Sequence, residues 1–336
     1  MILLDGSTGG GQMLRTALSL SMVTGQAFRM VHIRGQRRKP GLMRQHLTCV
    51  KAACEISSGT ATGAEIGSTE LTFHPGKLRG GDYHFAIGTA GSTGLLFQTL
   101  LPALWQADAP SRLRLEGGTH NPLAPPFEFL EHVFLPALRR MGAEATISLV
   151  ESGFAPAGGG IIESNINPCC KLTPFEFHER GELQTMRIRV PIRNLSAEIG
   201  RRMLEAAAEK FPGTDAAMDV REPGPGRGVC CLVEAAFDHS TELTSSFGEQ
   251  GVAAEKVGAR AAKAMHDFIG TGAVVGRQLA DQLLLPLALA GAGSFTTMAP
   301  DEHVPTNIAV IERFLPVRFR ITEATRGTRV IAVARA

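Results

Sequence analysis

Ser7-Thr-Gly-Gly-Gly-Gln12 is a glycine-rich turn that leads directly into a segment rich in Leu and Ala, where a helix is predicted over residues 12–23. Gly88-Thr-Ala-Gly-Ser-Thr-Gly94 repeats this arrangement and opens a helix predicted over residues 92–105. Short strands bounded by Gly or Asn separate these helices. The alternation of strands and helices, which occurs twice before about Pro168, predicts an α/β protein built from repeated units.

The other predicted elements follow the same order of strand, helix, helix and strands. Before Pro168 they are the helices 42–56 and 126–141 and the strands 28–33, 70–74, 83–87, 112–116 and 145–150. A third, partial copy comprises the helix 276–289, the strand 294–298, the helix 305–314 and the hairpin 319–333, which turns at Arg326-Gly327. The chain is therefore expected to contain three related α/β units.

Residues 180–274 differ in character from the segments on either side. They combine an amphipathic strand at 186–190, a helix rich in Ala and Glu at 197–211, a strand at 229–236 and a long helix at 249–269. We interpret them as a smaller α/β domain inserted into a larger one. The predicted large domain then consists of residues 1–179 and 275–336, and the inserted domain of residues 180–274.

The composition is typical of a folded protein with nearly balanced charge. The 336 residues include 34 Lys and Arg and 32 Asp and Glu, and a net charge of +2 excludes a polybasic protein. The cysteines form no C-x-x-C motif, which argues against a zinc ribbon, and we expect reduced, packed thiols at Cys49, Cys54, Cys169, Cys170, Cys230 and Cys231. No signal peptide or membrane span is recognisable, so we expect a cytoplasmic protein that does not enter a membrane.

The segment between Arg34 and Arg44, called here the basic segment, concentrates positive charge. It holds five of the eight cationic residues between Gly6 and Cys54, a stretch without any acidic residue. Guanidinium forks and free backbone amides near a helix start suit phosphate oxygens. A charge run is more often an unused, solvated surface. Because this one has no acidic neighbours in sequence, we favour a phosphate-binding role.

The two glycine-rich openings offer free backbone amides beside a helix N-terminus, which is the general design of an anion-binding nest. Neither is a P-loop, because no Lys-Ser/Thr pair follows, and neither matches the dinucleotide-binding fingerprint. Tight packing of a strand against a helix explains the glycines equally well. Gln12 and Gln98 are polar positions in otherwise apolar helices, so they are candidate ligand contacts, with solvent-facing glutamines as the alternative.

Asp301-Glu-His-Val-Pro-Thr-Asn307 places a histidine at the start of a helix. Pro305 fits the first turn of a helix but not its interior, so His303 is predicted to lie immediately before the helix begins. The positive end of the helix dipole disfavours a protonated imidazole there and stabilises anionic phosphates. His303 is therefore a candidate nucleophile for nucleotidyl transfer, although a loop histidine between acidic residues is more often simply solvated.

Seven motifs distributed along the whole chain form a recognisable set. They are Gly9-Gly-Gly-Gln-Met-Leu-Arg15, Lys39-Pro-Gly-Leu-Met-Arg-Gln-His46, Gly80-Gly-Asp82, Gly117-Gly-Thr119 with Asn121-Pro122 and Ala124-Pro-Pro126, Pro156-Ala-Gly-Gly-Gly160, Leu279-Ala-Asp-Gln282, and His303-Val-Pro-Thr-Asn307 with Ile311-Glu-Arg-Phe-Leu-Pro-Val-Arg318. In this order they resemble the motifs of the RNA 3'-terminal phosphate cyclases, and the chain is identified as a member of that family, of its ATP-dependent, bacterial and archaeal catalytic type.

The resemblance implies a fold and an activity. The fold is a large domain of three repeated α/β units, each with two helices packed on a four-stranded sheet and related in build to enolpyruvyl transferases, with a smaller α/β domain inserted before the third unit. The activity is that of an RNA 3'-terminal-phosphate cyclase (ATP), a ligase that forms a phosphoric ester bond by nucleotidyl transfer. In the family, a histidine takes AMP from ATP and passes it to the RNA 3'-phosphate, and the neighbouring 2'-hydroxyl closes a 2',3'-cyclic phosphodiester.

Carried over by position, the resemblance assigns roles to individual residues. The histidine of the family's His-x-x-Thr-Asn motif matches His303. The ATP-contacting positions match Gln98, Gln278, Leu279, Ala280, Asp281 and Gln282, with Pro125 and Phe129 in the adenine pocket. The phosphate- and RNA-end-binding positions match Arg15, Arg34, Arg37, Gln45 and His46, to which the residue pattern adds Gln12. ATP, RNA with a 3'-terminal phosphate and a divalent metal (Mg or Mn) are the implied partners; metal ligands are not assigned, and a homodimer is compatible with the sequence.

Two positions depart from the family pattern. Thr8 stands where members commonly carry a metal- and nucleotide-binding Glu in a longer loop, and Gln278 stands where they have an aromatic residue near the adenine. The alternative to an active cyclase is therefore a catalytically impaired, cyclase-like protein that binds RNA. The intact His-x-x-Thr-Asn motif at His303 favours the enzyme.

Overall fold

The computed structural model describes residues 1–169 and 171–336. In these residues sixteen strands form four sheets of four strands each, and helices pack on every sheet. The predicted α/β class is confirmed. Cys170, expected to be a packed thiol, lies outside the described residues.

The first unit is a sheet with the strand order β1-β2-β4-β3, in which β1 and β2 are parallel and the other neighbours are antiparallel. Its elements are β1 (Ile2–Asp5), α1 (Gly11–Thr24), β2 (Phe28–Val31), α2 (Arg44–Ser57), β3 (Thr60–Thr62) and β4 (Leu71–His74). Phe28, Met30, Leu71 and Phe73 are buried at every second position of β2 and β4, because the helices cover only one face of the sheet.

The second unit repeats this topology with the strand order β5-β6-β8-β7. Its elements are β5 (Asp82–Ala86), α3 (Thr93–Trp105), β6 (Ser111–Gly117), α4 (Phe127–Phe129), a π-helical turn (Leu130–Phe134), α5 (Leu135–Arg139), β7 (Ala145–Glu151) and β8 (Gly160–Ile166). The hydroxyl of Ser92 caps α3 by accepting a hydrogen bond from the N–H of Leu95 at 3.1 Å. Together α4, the π-helical turn and α5 form the continuous helical segment that was predicted over residues 126–141.

A short strand, β9 (Glu176–Phe177), precedes a fourth sheet with its own pair of helices. The elements of this part are β10 (Leu183–Arg193), α6 (Ala197–Ala208), β11 (Asp215–Val220), β12 (Gly228–Phe237), β13 (Thr241–Phe247) and α7 (Ala254–Thr271). The strand order is β11-β10-β12-β13, and α6 and α7 pack on each other and on this sheet. This part corresponds to the segment interpreted as an inserted domain, whose boundaries at 180 and 274 stay a prediction.

The third unit ends the chain. Its remaining elements are α8 (Arg277–Ala290), β14 (Ala292–Thr297), α9 (His303–Phe314), β15 (Val317–Glu323) and β16 (Arg329–Arg335). The third sheet has the order β15-β16-β14-β9, and β9 runs parallel to β14 as β1 does to β2. The first strand of the third unit is therefore β9. The inserted segment follows this strand and interrupts the unit, whereas the resemblance had implied an insertion before the unit.

The helices of the three units pack against one another at the centre of the large domain. α1 contacts α3 of the second unit and α9 of the third. Leu14, Leu18 and Phe97 are fully buried there, and one hydrophobic core joins the three units. Within the residues described, no helix is both long and apolar enough to cross a bilayer.

The inserted sheet is buried on both faces. On β12, Cys231 and Val233 point into a separate core beneath α6 and α7, whereas Cys230 and Leu232 belong to the core of the large domain. This follows from strand geometry, in which successive side chains point to opposite faces. Both cysteines are free thiols packed as small apolar residues. The sheet of β10–β13 is thus packed between α6 and α7 on one face and the core shared by the three units on the other.

A charged cluster also joins the inserted domain to the second unit, and we call His120, Glu128 and Arg221 the Glu128 cluster. The carboxylate of Glu128 lies 3.0 Å from Nε2 of His120 and accepts a hydrogen bond from Arg221 at 3.1 Å. The ring of His120 is buried and stacks on Phe154, with 4.9 Å between ring centres. Burial alone raises the pKa of Glu128, but His120 and Arg221 outweigh burial and lower this pKa to about 2. Glu128 is therefore ionised at neutral pH.

Candidate active site

A cavity of about 1020 Å³ lies where the N-terminal ends of α1, α2, α8 and α9 converge, with α3 alongside. All three units contribute residues to its wall. Twelve of the predicted site residues line the cavity, namely Gln12, Arg15, Arg34, Arg37, Gln45, His46, Gln98, Pro125, Gln278, Asp281, Gln282 and His303. The fold thus brings together residues that are separated by almost three hundred positions in sequence.

The cavity is strongly positive. Each helix N-terminus carries roughly half a positive charge and several free N–H groups. The cationic side chains on the wall outnumber its two carboxylates, Asp281 and Asp301, and are Arg15, Arg34, Arg37, Arg38, Lys39 and Arg277. A surface of this kind attracts polyanions. Of the cations of the basic segment, all but Arg44 lie on this wall.

His303 is the first residue of α9, whereas it was predicted to lie immediately before the helix. Its N–H donates to Oδ1 of Asp301 at 2.9 Å, and its carbonyl accepts a hydrogen bond from the hydroxyl of Thr306 at 2.9 Å. The backbone is therefore fixed on both sides. The imidazole is exposed on the cavity wall and has no hydrogen-bond partner among the described residues. A ring nitrogen of His303 is accessible to a ligand, as a nucleophile requires.

Asp281 is the centre of a hydrogen-bond network that joins α8 to α1 and α9. Its carboxylate accepts hydrogen bonds from Nε2 of Gln12 and, at 3.2 Å, from Nδ2 of Asn307. Oδ1 of Asn307 accepts a hydrogen bond from the hydroxyl of Thr16 at 2.7 Å. Burial raises the pKa of Asp281, and the donors Gln12 and Asn307 oppose this rise. Asn307, to which the sequence reading gave no separate role, holds the helices together around the cavity.

His46 is a neutral hydrogen-bond donor at the start of α2. The N–H of Met43 donates to its Nδ1 at 3.1 Å, so the neutral ring carries its proton on Nε2. Burial, assisted by the charges of Arg15 and Arg34, lowers the pKa of His46 to about 3. A Cβ atom at Gly11 would lie 2.0 Å from Nε2 of His46, so only glycine admits the ring. His46 therefore places an N–H beside the start of α1.

The two predicted arginines of the basic segment are held differently. Arg34 donates hydrogen bonds from one guanidinium nitrogen to the carbonyls of Lys39 at 2.7 Å and Gly41 at 2.9 Å, and in this way it shapes the loop. The guanidinium of Arg37 lies over Gly10 at the start of α1 and has no side-chain partner among the residues described. Arg37 is therefore able to contact an incoming anion.

Three glutamines of the cavity carry buried polar atoms that lack a partner within the described chain. These atoms are Nε2 of Gln45, Nε2 of Gln98 and Oε1 of Gln282. Oε1 of Gln45 accepts a hydrogen bond from the N–H of Ser92 at 3.0 Å, which fixes the orientation of this amide. A buried polar atom without a partner costs about 1–3 kcal/mol. A nucleotide, which is rich in donors and acceptors, would supply the partners, so these side chains fit ATP.

One side of the cavity is apolar, and sequence reasoning missed it. The wall there is formed by Leu101, Pro102 and Trp105 of α3, Phe134 of the π-helical turn, and Leu285 and Pro286 of α8. A surface of this type suits a flat nucleobase. The sequence gives little signal for it, because α3 is buried along most of its circumference and periodicity does not separate a cavity wall from the core.

Three residues that were expected to contact ATP do not reach the cavity surface. Phe129 and Ala280 are 0% exposed and Leu279 is 2% exposed, and none of them is a lining residue. A helix turns by about 100° per residue, so Gln278, Asp281 and Gln282 share the cavity face of α8 while Leu279 and Ala280 face the core. The structure therefore places these three behind the wall, as packing residues.

The described residues hold no group of three or more His, Cys, Asp or Glu side chains arranged around a metal site. The carboxylates of the cavity, Asp281 and Asp301, already accept hydrogen bonds from protein donors. Thr8 is exposed and lies outside the cavity wall. Mg²⁺ commonly binds through one or two carboxylates together with substrate phosphates. The donor set of this cavity fits that shared mode of binding.

Comparison with known proteins relates the chain to one family. It matches the family described as RNA 3'-terminal phosphate cyclase over residues 7–321. It is 49% identical over 333 residues to the RNA 3'-terminal phosphate cyclase of Ralstonia nicotianae, covering 98% of this chain and 96% of that protein. It is 50% identical over 317 residues to the protein of the same name from Pseudomonas fluorescens, covering 94% and 92%. A solved enolpyruvyl transferase from Streptomyces tendae is similar over 98% of this chain and 48% of that chain, with 13% identity and a TM-score of 0.40.

Proposed function

The chain belongs to the RNA 3'-terminal phosphate cyclase family, as its motifs predicted, and from this premise we propose that it converts an RNA 3'-terminal phosphate to a 2',3'-cyclic phosphodiester at the expense of ATP, through a covalent histidine–AMP intermediate. The observation that carries the proposal is the position of His303. Its accessible imidazole lies at the N-terminus of α9, on the wall of a cavity lined by cations and helix N-termini. Such a site suits a nucleophile that attacks a phosphate.

In the first step, a ring nitrogen of His303 attacks the α-phosphate of ATP. The nitrogen lone pair forms the new N–P bond, the bond between the α-phosphorus and the bridging oxygen breaks, and pyrophosphate leaves with the electron pair. Charge that develops on the leaving group lies among helix N-termini and guanidinium groups, which stabilise it without reorganisation. A divalent ion bound by the phosphates together with Asp281 or Asp301 would neutralise further charge.

In the second step, an oxygen of the RNA 3'-phosphate attacks the same phosphorus, and the His303 nitrogen leaves with the electron pair of the N–P bond. The RNA end then carries AMP through a pyrophosphate bond. The 2'-hydroxyl oxygen attacks the RNA phosphorus and its proton passes to water. The bond between this phosphorus and the oxygen shared with AMP breaks, and AMP leaves with the electron pair as the cyclic diester closes. AMP is a far better leaving group than the oxide that an unmodified phosphate would have to expel, which accounts for the use of ATP.

The surroundings of His303 support this division of the cavity between the two substrates. The apolar wall that contains Trp105 and Phe134 suits the adenine, and the unpartnered amide atoms of Gln98 and Gln282 suit polar groups of the nucleotide. The basic segment lies on the same wall, where Arg37 suits the phosphate of the RNA end.

The proposal is tested by incubating the protein with ATP labelled at the α-phosphate and a divalent metal, and then denaturing it. We expect label to remain on the chain at His303, in a bond that is labile in acid and stable in alkali, as a histidine phosphoramidate is. If several metals give no labelled protein while RNA with a 3'-phosphate still binds, the family's cyclase chemistry is absent, and RNA binding without catalysis becomes the better description.

Replacement of Arg37 with alanine is expected to raise KM for 3'-phosphorylated RNA about tenfold or more, because one hydrogen bond from a charged donor contributes about 1.5–3 kcal/mol. Steady-state cyclisation assays at several RNA concentrations measure this, and thermal melting monitors the fold. Arg320, an exposed arginine outside the cavity wall, provides the matched control as Arg320→Ala. A lower melting temperature with unchanged KM would show that Arg37 has a structural role instead.

A further inference from the structure

The first two turns of α8 carry four residues of the cavity wall, the cation Arg277 and the polar residues Gln278, Asp281 and Gln282. The orientation of these side chains therefore depends on how the N-terminal turn of α8 is held. The residue before the helix, Gly276, has no side chain and supplies no side-chain cap. A cap must come from elsewhere in the fold.

The cap comes from the inserted domain. Glu242 on β13 accepts a hydrogen bond at 2.8 Å from the N–H of Gly276 to its Oε2 atom. Its side chain is buried, with only 4% of the residue exposed. A Cβ atom at Gly276 would lie 2.4 Å from the same oxygen, so the carboxylate is in close contact with the helix start. Glu242 is thus a cap supplied by a different domain.

Burial of the Glu242 carboxylate at this position costs free energy. Over the part of the chain that the structure describes, Glu242 forms no ion pair, and its hydrogen bonds come from the N–H groups of Gly276 and Leu243. Burial raises the pKa of Glu242 to about 7, and these N–H groups only partly oppose the rise. A buried carboxyl group without a cation is costly unless its hydrogen bonds repay the cost. A residue held for packing alone would be apolar.

We infer that Glu242 is a positioning residue of the nucleotide site, through which the inserted domain holds the first turn of α8 in the orientation that Gln278 needs to face the cavity. The turn is held at Gly276 by Glu242, and one turn later at Asp281 by Gln12 and Asn307. Gln278 lies between these two attachment points. Loss of the first attachment frees the turn that carries Gln278 while the second persists.

This inference rests on the proposed function in one respect, namely that the ligand of the cavity is ATP. The experiment measures the dissociation constant of ATP with a divalent metal for the full-length chain by titration calorimetry. For Glu242→Ala we expect the dissociation constant to rise about tenfold, equivalent to about 1.4 kcal/mol, the size of one intramolecular hydrogen bond. Glu242→Gln retains an acceptor for the N–H of Gly276 and is expected to restore binding to within about twofold of the original protein.

The matched control is Glu234→Ala, which removes another largely buried carboxylate of the same sheet. Glu234 belongs to β12, and its carboxylate pairs with His132 at 2.6 Å and with Arg187, not with a residue of α8. If ATP affinity depends on the contact with the start of α8, loss of the Glu234 carboxylate is expected to lower stability and to leave ATP affinity unchanged. Hydrogen exchange of residues 276–280 provides a readout independent of ATP, and we expect faster exchange there in Glu242→Ala only.

Two outcomes overturn the inference. One is an ATP affinity in Glu242→Ala equal to that of the original protein, and the other is unchanged exchange at residues 276–280. If Glu242→Ala fails to fold, Gly276→Ala displaces the same contact and is expected to weaken ATP binding in the same direction. Failure of the original protein to bind ATP would instead count against the proposed function, so the two failures are distinguishable.

Discussion

Replacement of His303 with alanine abolishes the covalent protein–AMP adduct and slows RNA cyclisation by about a thousandfold or more, as expected for the loss of a nucleophile. The reason is that alanine offers no lone pair to the α-phosphate, while the cations and helix N-termini of the cavity remain. The imidazole has no hydrogen-bond partner among the described residues, so its removal leaves no protein group unsatisfied. We therefore expect the melting temperature to change little. The measurement is the amount of labelled protein per chain after reaction with α-labelled ATP.

A matched control is His74→Ala, which removes an exposed histidine at the end of β4, outside the cavity wall. This variant is expected to form the adduct in full. ATP should still bind to His303→Ala, because the apolar wall and the cationic side chains are untouched. A full yield of adduct in His303→Ala would identify a different nucleophile.

Glu128→Ala is expected to lower the free energy of unfolding by about 3–5 kcal/mol, the usual cost of removing one partner from a buried ion pair. The change leaves His120 and Arg221 of the Glu128 cluster without their common acceptor. It also breaks the charged link between the second unit and the inserted domain. Urea unfolding followed by the fluorescence of Trp105, the single tryptophan, measures the effect.

The control for this prediction is Glu163→Ala, which removes an exposed partner of Arg114 on the sheet of the second unit. An exposed ion pair contributes at most about 1 kcal/mol. The pH dependence gives a second check, because the pKa of Glu128 is lowered from 4.5 to about 2. Its ionised form therefore stabilises the fold above about pH 4.5, and this contribution is lost as the pH falls towards 2. Glu128→Gln should lack this component, and an identical acid profile would contradict the assignment.

The sequence predicted the elements whose boundaries are marked by local chemistry. The helices α1, α3 and α8 begin within one residue of their predicted starts, because Gly-rich turns and Ser92 mark these positions. β9, by contrast, was missed. It has two residues, and it is a strand only because it pairs with Ser294 and Phe295, which are distant in sequence. No local pattern contains that information.

The sequence predicted those residues of the candidate site that lie in recognisable motifs, and it did not predict those whose roles depend on tertiary contacts. The motif around His303 and the basic segment identified polar residues that the fold does bring to one cavity. The resemblance carried over a contiguous run, 278–282, although a helix presents only part of such a run to one side. Glu242 had no signal in sequence, since its role depends on contact with Gly276 across the domain boundary. Contacts of this kind are created by tertiary structure alone.

The place of the insertion has a consequence for the order in which the chain folds during synthesis. β9 pairs with β14, so Glu176 has no strand partner until Ser294, more than one hundred residues later, has been synthesised. The helices α8 and α9 also follow the inserted domain in the chain. The first two units and the inserted domain can each close from contiguous chain while translation continues. The third sheet must close a long loop, which is slow. We therefore expect the cavity to be the last part of the molecule to form. A chain whose synthesis stops before α8 would have two complete units but would lack His303 and most of the α8 and α9 side of the cavity.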